Sequence, residues 1–152
     1  MPTATISLLA GHPRPALRKL MDNVVAVLHA TLEAAPPRMT VAIHEMPADL
    51  WLVNGKPASD SPQVSQPGTI DNPLVEINMV EGRPSHVIHH LERELTAATA
   101  HALGVAPERI RVVIRQIPAD DWAMGGTSVA VARAENLAAR TRTDATGPTA
   151  RP

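Results

Sequence analysis

The sequence lacks three residue types altogether: its 152 residues include no cysteine, no phenylalanine and no tyrosine. Without cysteine the chain has neither a disulfide framework nor a thiolate metal site, as is typical of proteins in a reducing cytoplasm. No segment approaches the ~18 consecutive apolar residues that a membrane-spanning helix requires, and no basic-then-apolar signal sequence opens the chain. We therefore expect a cytoplasmic protein with no membrane partner.

A strong net charge is also absent. The chain has 14 Lys and Arg against 15 Asp and Glu, and its formal net charge is -1. A nucleic-acid surface needs clustered Lys and Arg to neutralise phosphates, so no nucleic-acid partner is expected, although single arginines can still bind a small anion. The core must consist of Leu, Val, Ile, Ala and Met, since Trp51 and Trp122 are the only bulky aromatic residues.

What the chain does contain is an internal repeat, whose second copy follows the first 71 positions later. Pro73 corresponds to Pro2, and the two tryptophans correspond to each other. Further matches at the same spacing are Gly11-His12-Pro13 with Gly82-Arg83-Pro84, Pro47-Ala48-Asp49 with Pro118-Ala119-Asp120, and Gly55 with Gly126. A spacing that is kept without a gap over roughly fifty positions indicates a tandem duplication.

Each copy has the pattern strand, helix, strand. Alternation of apolar and polar residues predicts the strands 3–9, 39–46, 74–80 and 109–117. Apolar residues at helical spacing predict one helix of about five turns in each copy, and Pro15 and Pro84 stand at the helix starts, where a missing N–H is tolerated. Two tandem β-α-β units with parallel strands then form one four-stranded sheet with two helices on one face, an α/β (α+β) fold.

The two copies are too short to fold independently. A chain of about 60 residues is marginal for burying its own core, so we expect the copies to share one. We divide the sequence into a first unit at 2–57, a linker at 58–72, a second unit at 73–137 and a disordered tail at 138–152. Since the helices cover one face of the sheet, and an uncovered face with apolar residues usually marks an interface, self-association is expected.

Pro2 follows the initiator methionine directly. Methionine aminopeptidases generally remove Met before a small residue, and we expect Pro2 to become the terminus and carry a free secondary amine. The pKa of an α-amino group is ~7.7–8.0, and nearby positive charge or an apolar pocket lowers it toward neutrality, where the amine is an effective general base. Met-Pro is by itself a common start, so this interpretation depends on the surrounding residues.

Residues 73–134 closely resemble 4-oxalocrotonate tautomerase, through the stretches Pro73–Arg83 and Arg109–Pro118, Trp122 and Gly125-Gly126. The first copy resembles the same family more weakly, and keeps Pro2, Gly11, Glu45-Met46 and Trp51. The resemblance implies a tautomerase-like fold, an amino-terminal proline as base, two arginines that bind a dicarboxylate-like substrate, and an aromatic wall. It implies no cofactor and no metal. The residues that match these roles are Pro2, Arg83, Arg111 and Trp122.

The two copies have lost different parts of this site. The first copy has His12 and Thr40 at the arginine positions, whereas the second copy has both arginines but its Pro73 is an internal imide without a usable lone pair. The resemblance therefore implies one working kind of site, in which Pro2 faces Arg83 and Trp122.

The remaining residues leave alternatives. Arg111 can come from the same chain or from a neighbouring chain. Short family members form hexamers, so a doubled chain is expected to form a homotrimer of about 49 kDa, three times 16.2 kDa. Trp51 is expected to pack between subunits, and His12 can contribute a donor to a second, degenerate pocket in which Arg14 or Arg38 replaces the missing charge.

The predicted function is enol–keto isomerisation of a small 2-hydroxy or 2-oxo acid that resembles 2-hydroxymuconate or phenylenolpyruvate. Arg83 would bind a carboxylate, Arg111 would polarise the oxygen where charge develops, Pro2 would move the proton, and Trp122 would exclude water. The alternatives are decarboxylation of a 3-oxo acid, a catalytically silent assembly protein, and hydrolytic dehalogenation of 3-haloacrylates. Dehalogenation needs a carboxylate that activates water, and only Asp120 and Asp121 lie near Trp122 in the sequence.

Three histidines have a spacing that suits a metal site on a helix: His86, His89 and His90. No carboxylate or cysteine evidently completes a ligand set with them, so a solvated helix face is the favoured interpretation.

Overall fold

The structure is a computed structural model that describes residues 1–145. The chain forms two compact units, which meet in sequence between Gln116 and Ile117. In chain order the elements up to this boundary are β1 (Thr3–Leu9), α1 (Arg14–Leu32), β2 (Thr40–Met46), β3 (Leu52–Val53), β4 (Lys56–Pro57), α2 (Pro67–Ile70), β5 (Leu74–Val80), α3 (Ser85–Leu103) and β6 (Arg111–Ile117). The strands predicted at 3–9 and 74–80 are confirmed.

The main sheet has the strand order β2-β1-β5-β6. Strand β1 runs parallel to β2, with Thr3 opposite Thr40, and antiparallel to β5, with Thr3 opposite Asn78. Strand β6 begins beside the start of β5, since the N–H of Arg111 donates to the carbonyl oxygen of Pro73 at 3.0 Å. The two copies are therefore joined through their first strands, and these first strands point in opposite directions.

One core serves both copies, as predicted. The core faces of the central strands consist of Ala4, Ile6 and Leu8 from β1 and Val75, Ile77 and Met79 from β5. Helices α1 and α3 both pack on this face, through Leu17, Leu20, Val24, Leu28, Leu32, Leu91, Leu95 and Leu103. These helix positions recur every three or four residues, which places them on one stripe of each helix.

The opposite face of the central strands is more polar than predicted for an interface. It carries Thr3, Thr5 and Ser7 on β1 and Glu76 and Asn78 on β5, all partly exposed. The reason is the strict alternation of both strands, which sends nearly all of their large apolar residues to the helix-covered face.

The second strands begin slightly later than predicted. Strand β2 begins at Thr40 and strand β6 at Arg111, because short 3-10 helices at Pro36–Arg38 and Pro107–Arg109 precede them. Arg109 therefore lies in a 3-10 helix and not on the strand, as proline at the first position favours a helical turn. Val112 and Ile114 pack against the core while Arg111 and Arg115 are exposed, so the predicted alternation on this strand is confirmed.

The segment predicted as a linker, residues 58–72, is packed against the end of β1. It contains a 3-10 helix at Ala58–Asp60 and helix α2, and Ala58 and Ile70 are buried in a small cluster with Leu9 and Val53. Its Pro/Ser/Gly composition is typical of loops, but its few apolar residues are enough to cover the end of β1.

The second compact unit, which begins at Ile117, contains the hairpin β7 (Ala123–Met124) and β8 (Thr127–Ser128), followed by helix α4 (Val129–Ala145). The predicted disordered tail, 138–152, is corrected over residues 138–145, which continue α4. Ala and Arg, which favour helix strongly, make up five of these eight residues. Residues 146–152 lie outside the described residues. Within residues 1–145, no helix combines the length and apolarity needed to cross a membrane.

Candidate active site

Pro2 lies at the end of the sheet where β5 finishes. Thr3 pairs with Asn78, so the antiparallel register brings Pro2 to the side of β5 that leads into Gly82 and Arg83. Pro2 is buried, and its carbonyl oxygen accepts a long hydrogen bond of 3.5 Å from the N–H of Thr40. The first-copy proline is thus near the loop that carries the second-copy arginine.

The loop after β5 is fixed by the side chain of Gln116. Its Oε1 accepts the N–H of Gly82 at 3.2 Å and that of Arg83 at 3.1 Å. Gly82 has φ 112°, a conformation that is strained for residues with a Cβ. These contacts hold the backbone of Arg83 in one place.

The guanidinium group of Arg83 is oriented by helix α1. Its Nη2 donates to the carbonyl oxygen of Leu32, the last residue of α1, at 2.9 Å. The carbonyl end of a helix carries partial negative charge and favours a cation there. A guanidinium has five N–H donors in a planar fork, so one bond to Leu32 leaves donors for a carboxylate. Arg83 is exposed, as a residue that receives a ligand must be.

Arg111 lies at the opposite end of the sheet from Pro2. It is the first residue of β6, and its backbone is bonded to Pro73 at the start of β5. A strand of seven residues spans about 20 Å. The side chain of Arg111 lines a cleft of about 520 Å³ together with Asn54, Asn72 and Arg109. The structure therefore does not bring Arg111 to Pro2 of the same chain.

A buried carboxylate that the sequence does not predict occupies the end of the sheet at Pro73. Asp71 is fully buried. Its Oδ2 accepts the N–H of Leu9 at 3.0 Å and faces Nε2 of His12 at 2.9 Å. Its Oδ1 accepts the indole N–H of Trp51 at 3.0 Å and the N–H of Asn72 at 2.8 Å. The only sequence signal for this arrangement is an acidic residue two positions before the second proline.

Partners within the chain are present for three other residues of the first copy, which are His12, Trp51 and Arg14. His12 is buried, and its Nε2 faces Oδ2 of Asp71 in the same chain. Trp51 packs against the small cluster that includes Leu9 and Val53, inside the chain. Arg14 forms an ion pair with Glu45 at 3.1 Å, and Arg38 ends a 3-10 helix.

Trp122 belongs to the second unit, where its carbonyl oxygen accepts the N–H of Val129 at 2.8 Å. It is partly buried and immediately precedes strand β7.

The three histidines of α3 are exposed, as predicted, and His90 is 4.0 Å from Glu94. Among the described residues, no group of three or more His, Cys, Asp or Glu side chains is arranged to hold a metal ion.

Known proteins share both the sequence pattern and the fold. The family model described as "Tautomerase enzyme" matches residues 2–61 and again residues 73–132. The probable tautomerase RSp0893 of Ralstonia nicotianae (strain ATCC BAA-1114 / GMI1000) is 33% identical over 61 residues, which cover 40% of this chain and 87% of that protein.

Two solved structures show the same fold at low identity. Q0 fused 4-OT, a wild-type symmetric trimer, has a TM-score of 0.73 and 21% identity over 86% of this chain and 98% of its own. N1, a member of the cis-3-chloroacrylic acid dehalogenase family, has a TM-score of 0.68 and 18% identity over 90% of each chain. Because the family model covers both copies, and with them more than half of the sequence, this chain belongs to the tautomerase family.

Proposed function

We propose that this protein is an isomerase that interconverts the enol and keto forms of a small 2-hydroxy or 2-oxo acid, with Pro2 as the general base. Removal of Met1 turns the Pro2 nitrogen into a secondary amine. That amine takes the proton of the enol hydroxyl group, the oxygen electrons form the carbonyl bond, and the proton returns from the prolinium to carbon. No atom is gained or lost, so no co-reactant is needed.

The observation that supports this proposal most is the position of Pro2 at the sheet end that carries Arg83. Arg83 binds a substrate carboxylate through the N–H groups that Leu32 does not use. Charged hydrogen bonds of this kind are short and directional, so they fix the reacting carbon relative to the Pro2 nitrogen.

Arg111 is proposed to reach the site of a neighbouring chain. Within its own chain it lies at the far end of the sheet, beside Pro73. In an assembly its guanidinium group can approach the Pro2 of the next chain and stabilise the oxygen where negative charge develops. Trp122 is proposed to cover the substrate and exclude water.

This arrangement requires an oligomer, and we propose a homotrimer. The surface offers apolar residues for association: Leu50 and Leu52, on either side of Trp51, are 69% and 66% exposed in the single chain. The symmetric trimer of Q0 fused 4-OT is consistent with this choice. Light scattering should give about 49 kDa, three times 16.2 kDa, and a monomer would contradict the shared site.

The test is turnover of 2-hydroxymuconate and phenylenolpyruvate by the wild type and by the variants Pro2→Ala and Arg83→Ala. Each variant should lose about 10²-fold or more in kcat/KM, as expected for a general base and for a charged group that holds the substrate. Arg93→Ala, which changes an exposed arginine on α3, is the matched control and should keep full activity. Unchanged turnover in Pro2→Ala would contradict the assignment.

Two further measurements separate this proposal from its alternatives. A panel with 3-haloacrylates and 3-oxo acids should show turnover below that of the enol acids; a preference for either would assign dehalogenation or decarboxylation instead. Mass spectrometry of the purified protein should show that Met1 has been removed. A retained Met1 blocks the amine and would favour the catalytically silent assembly protein.

A further inference from the structure

We propose that the chain contains a second carboxylate-binding site, at the Pro73 end of the sheet, and that Asp71 of the linker permanently occupies it. The ligand class of this site is a small monocarboxylate. In the wild type its place is taken by a side chain of the same protein. This inference concerns the opposite end of the sheet from Pro2. Its comparison between the copies rests on the proposed substrate-binding roles of Arg83 and Trp122, whereas the experiment below measures carboxylate binding and not turnover.

The geometry around the Asp71 carboxylate supports this proposal. Both oxygens of Asp71 accept two hydrogen bonds each, and the side chain is fully buried. Three of the four donors come from residues far away in the sequence: Leu9, His12 and Trp51. Because a carboxylate only accepts, His12 must carry its hydrogen on Nε2. A site that meets a carboxylate with a backbone N–H, an imidazole and an indole has the composition of a ligand site.

The internal repeat also supports the proposal, because two of the donors to Asp71 correspond to candidate substrate-binding residues of the second copy. His12 stands where the second copy has Arg83, and Trp51 stands where it has Trp122. The loops also agree in backbone conformation, since φ is 115° at Gly11 and 112° at Gly82. The two first-copy donors to Asp71 therefore occupy the positions at which the second copy carries the residues proposed to bind substrate.

The carboxylate of Asp71 comes from the linker, two positions before Pro73. The linker thereby holds a carboxylate of the chain itself against the donors Leu9, His12 and Trp51. A tethered group competes at high effective concentration, so a free carboxylate cannot displace it.

The experiment removes the tethered carboxylate and supplies a free one. Asp71→Ala keeps Cβ, so the vacated space fits formate; Asp71→Gly removes Cβ as well, so its space fits acetate. With only two tryptophans, an ¹H–¹⁵N spectrum shows two indole signals, and Trp51→Phe assigns them. In Asp71→Ala the Trp51 indole signal should shift saturably with formate, with a dissociation constant in the millimolar range, and the unfolding midpoint should rise in parallel. Chloride at the same ionic strength should do neither.

Three controls make the result decisive. The wild type should not respond to either carboxylate, because Asp71 fills the site. The double variant Asp71→Ala with His12→Ala should lose the response to formate, because one donor is missing. In Asp71→Gly, acetate should bind more tightly than in Asp71→Ala. If Asp71→Ala folds only poorly, refolding in formate should recover more folded protein than refolding in chloride. An Asp71→Ala protein that is destabilised but indifferent to formate would overturn the proposal and leave Asp71 as a structural tether alone.

Discussion

The N–H of Arg111 donates a hydrogen bond to the carbonyl oxygen of Pro73, at 3.0 Å, and this contact places the arginine beside the proline that has no amine. The first copy makes the corresponding contact between Thr40 and Pro2. Because the first strands of the copies run antiparallel, each proline lies at the opposite end of the sheet from the other. The residues proposed for catalysis are thus divided between the two ends of every chain.

Gln116 is expected to act as a positioning residue for Arg83. Its Oε1 accepts two backbone N–H groups of the loop, and Gln116→Ala removes both hydrogen bonds. We expect a loss of about tenfold in kcat/KM, which corresponds to one or two lost hydrogen bonds. Gln116→Glu keeps an acceptor but brings negative charge toward an anionic substrate, so it should raise KM and leave kcat nearly unchanged. If Gln116 has a purely structural role, both variants should have a lower unfolding midpoint, and Gln116→Glu should not raise KM while leaving kcat unchanged.

Trp51 is expected to contribute to stability through its indole N–H. Trp51→Phe keeps most of the apolar surface but leaves Oδ1 of the buried Asp71 with one donor fewer. We expect the free energy of unfolding to fall by about 1–3 kcal/mol, as measured by urea denaturation. In an Asp71→Ala background the same substitution should cost much less, since the carboxylate is gone. Equal costs in both backgrounds would show that the hydrogen bond contributes nothing.

Glu33 allows a test of backbone strain, because the equivalent position in the second copy is the glycine Gly104 and serves as a control. The C-cap residue that follows helix α1 is Glu33, with φ 54°, and the C-cap residue that follows α3 is the corresponding Gly104, with φ 67°. A side chain in this left-handed region is unfavourable, so Glu33→Gly should stabilise the protein by about 0.5–1 kcal/mol. Gly104→Ala should destabilise it by about 1 kcal/mol, although no neighbouring atom lies within 4 Å of the added Cβ. Thermal unfolding of both variants measures this, and a Glu33→Gly protein that is less stable would contradict it.

The fold was largely predictable from the sequence because its signals are local. The alternation in Leu74–Val80 and the helical stripe of α3 each depend on residues only two to four positions apart. The start of β6 was predicted two residues early, since Arg109 fits the alternation as well as Arg111 does. The residues up to Ala145 offer no apolar stripe that could be buried, which is typical of a disordered tail, but their Ala and Arg content favours the helix that they form.

The sequence marks candidate site residues only where the repeat or the family resemblance singles them out, as it does for Pro2, Arg83 and Arg111. It leaves open which chain supplies Arg111, because the distance of Arg111 from Pro2 within one chain depends on the antiparallel pairing of β1 with β5, a tertiary contact. Asp71 was missed because its partners Leu9 and His12 lie 62 and 59 positions away.

The measurement that tests the account most directly is complementation between inactive variants. Pro2→Ala, Arg83→Ala and Arg111→Ala are each prepared, and pairs are unfolded together and refolded as mixed trimers. In the proposed site, Pro2 and Arg83 belong to one chain, whereas Arg111 comes from the next chain.

Mixing Pro2→Ala with Arg111→Ala at equal amounts should then restore about one quarter of the sites. A complete site needs an Arg111→Ala chain, which keeps Pro2 and Arg83, followed in the cyclic trimer by a Pro2→Ala chain, which keeps Arg111, and each choice has a probability of about one half. Mixing Pro2→Ala with Arg83→Ala should restore none, because no chain carries both residues. Recovered turnover in the first mixture and not in the second is the predicted result. Recovery with Arg83→Ala, or none with Arg111→Ala, would contradict the account.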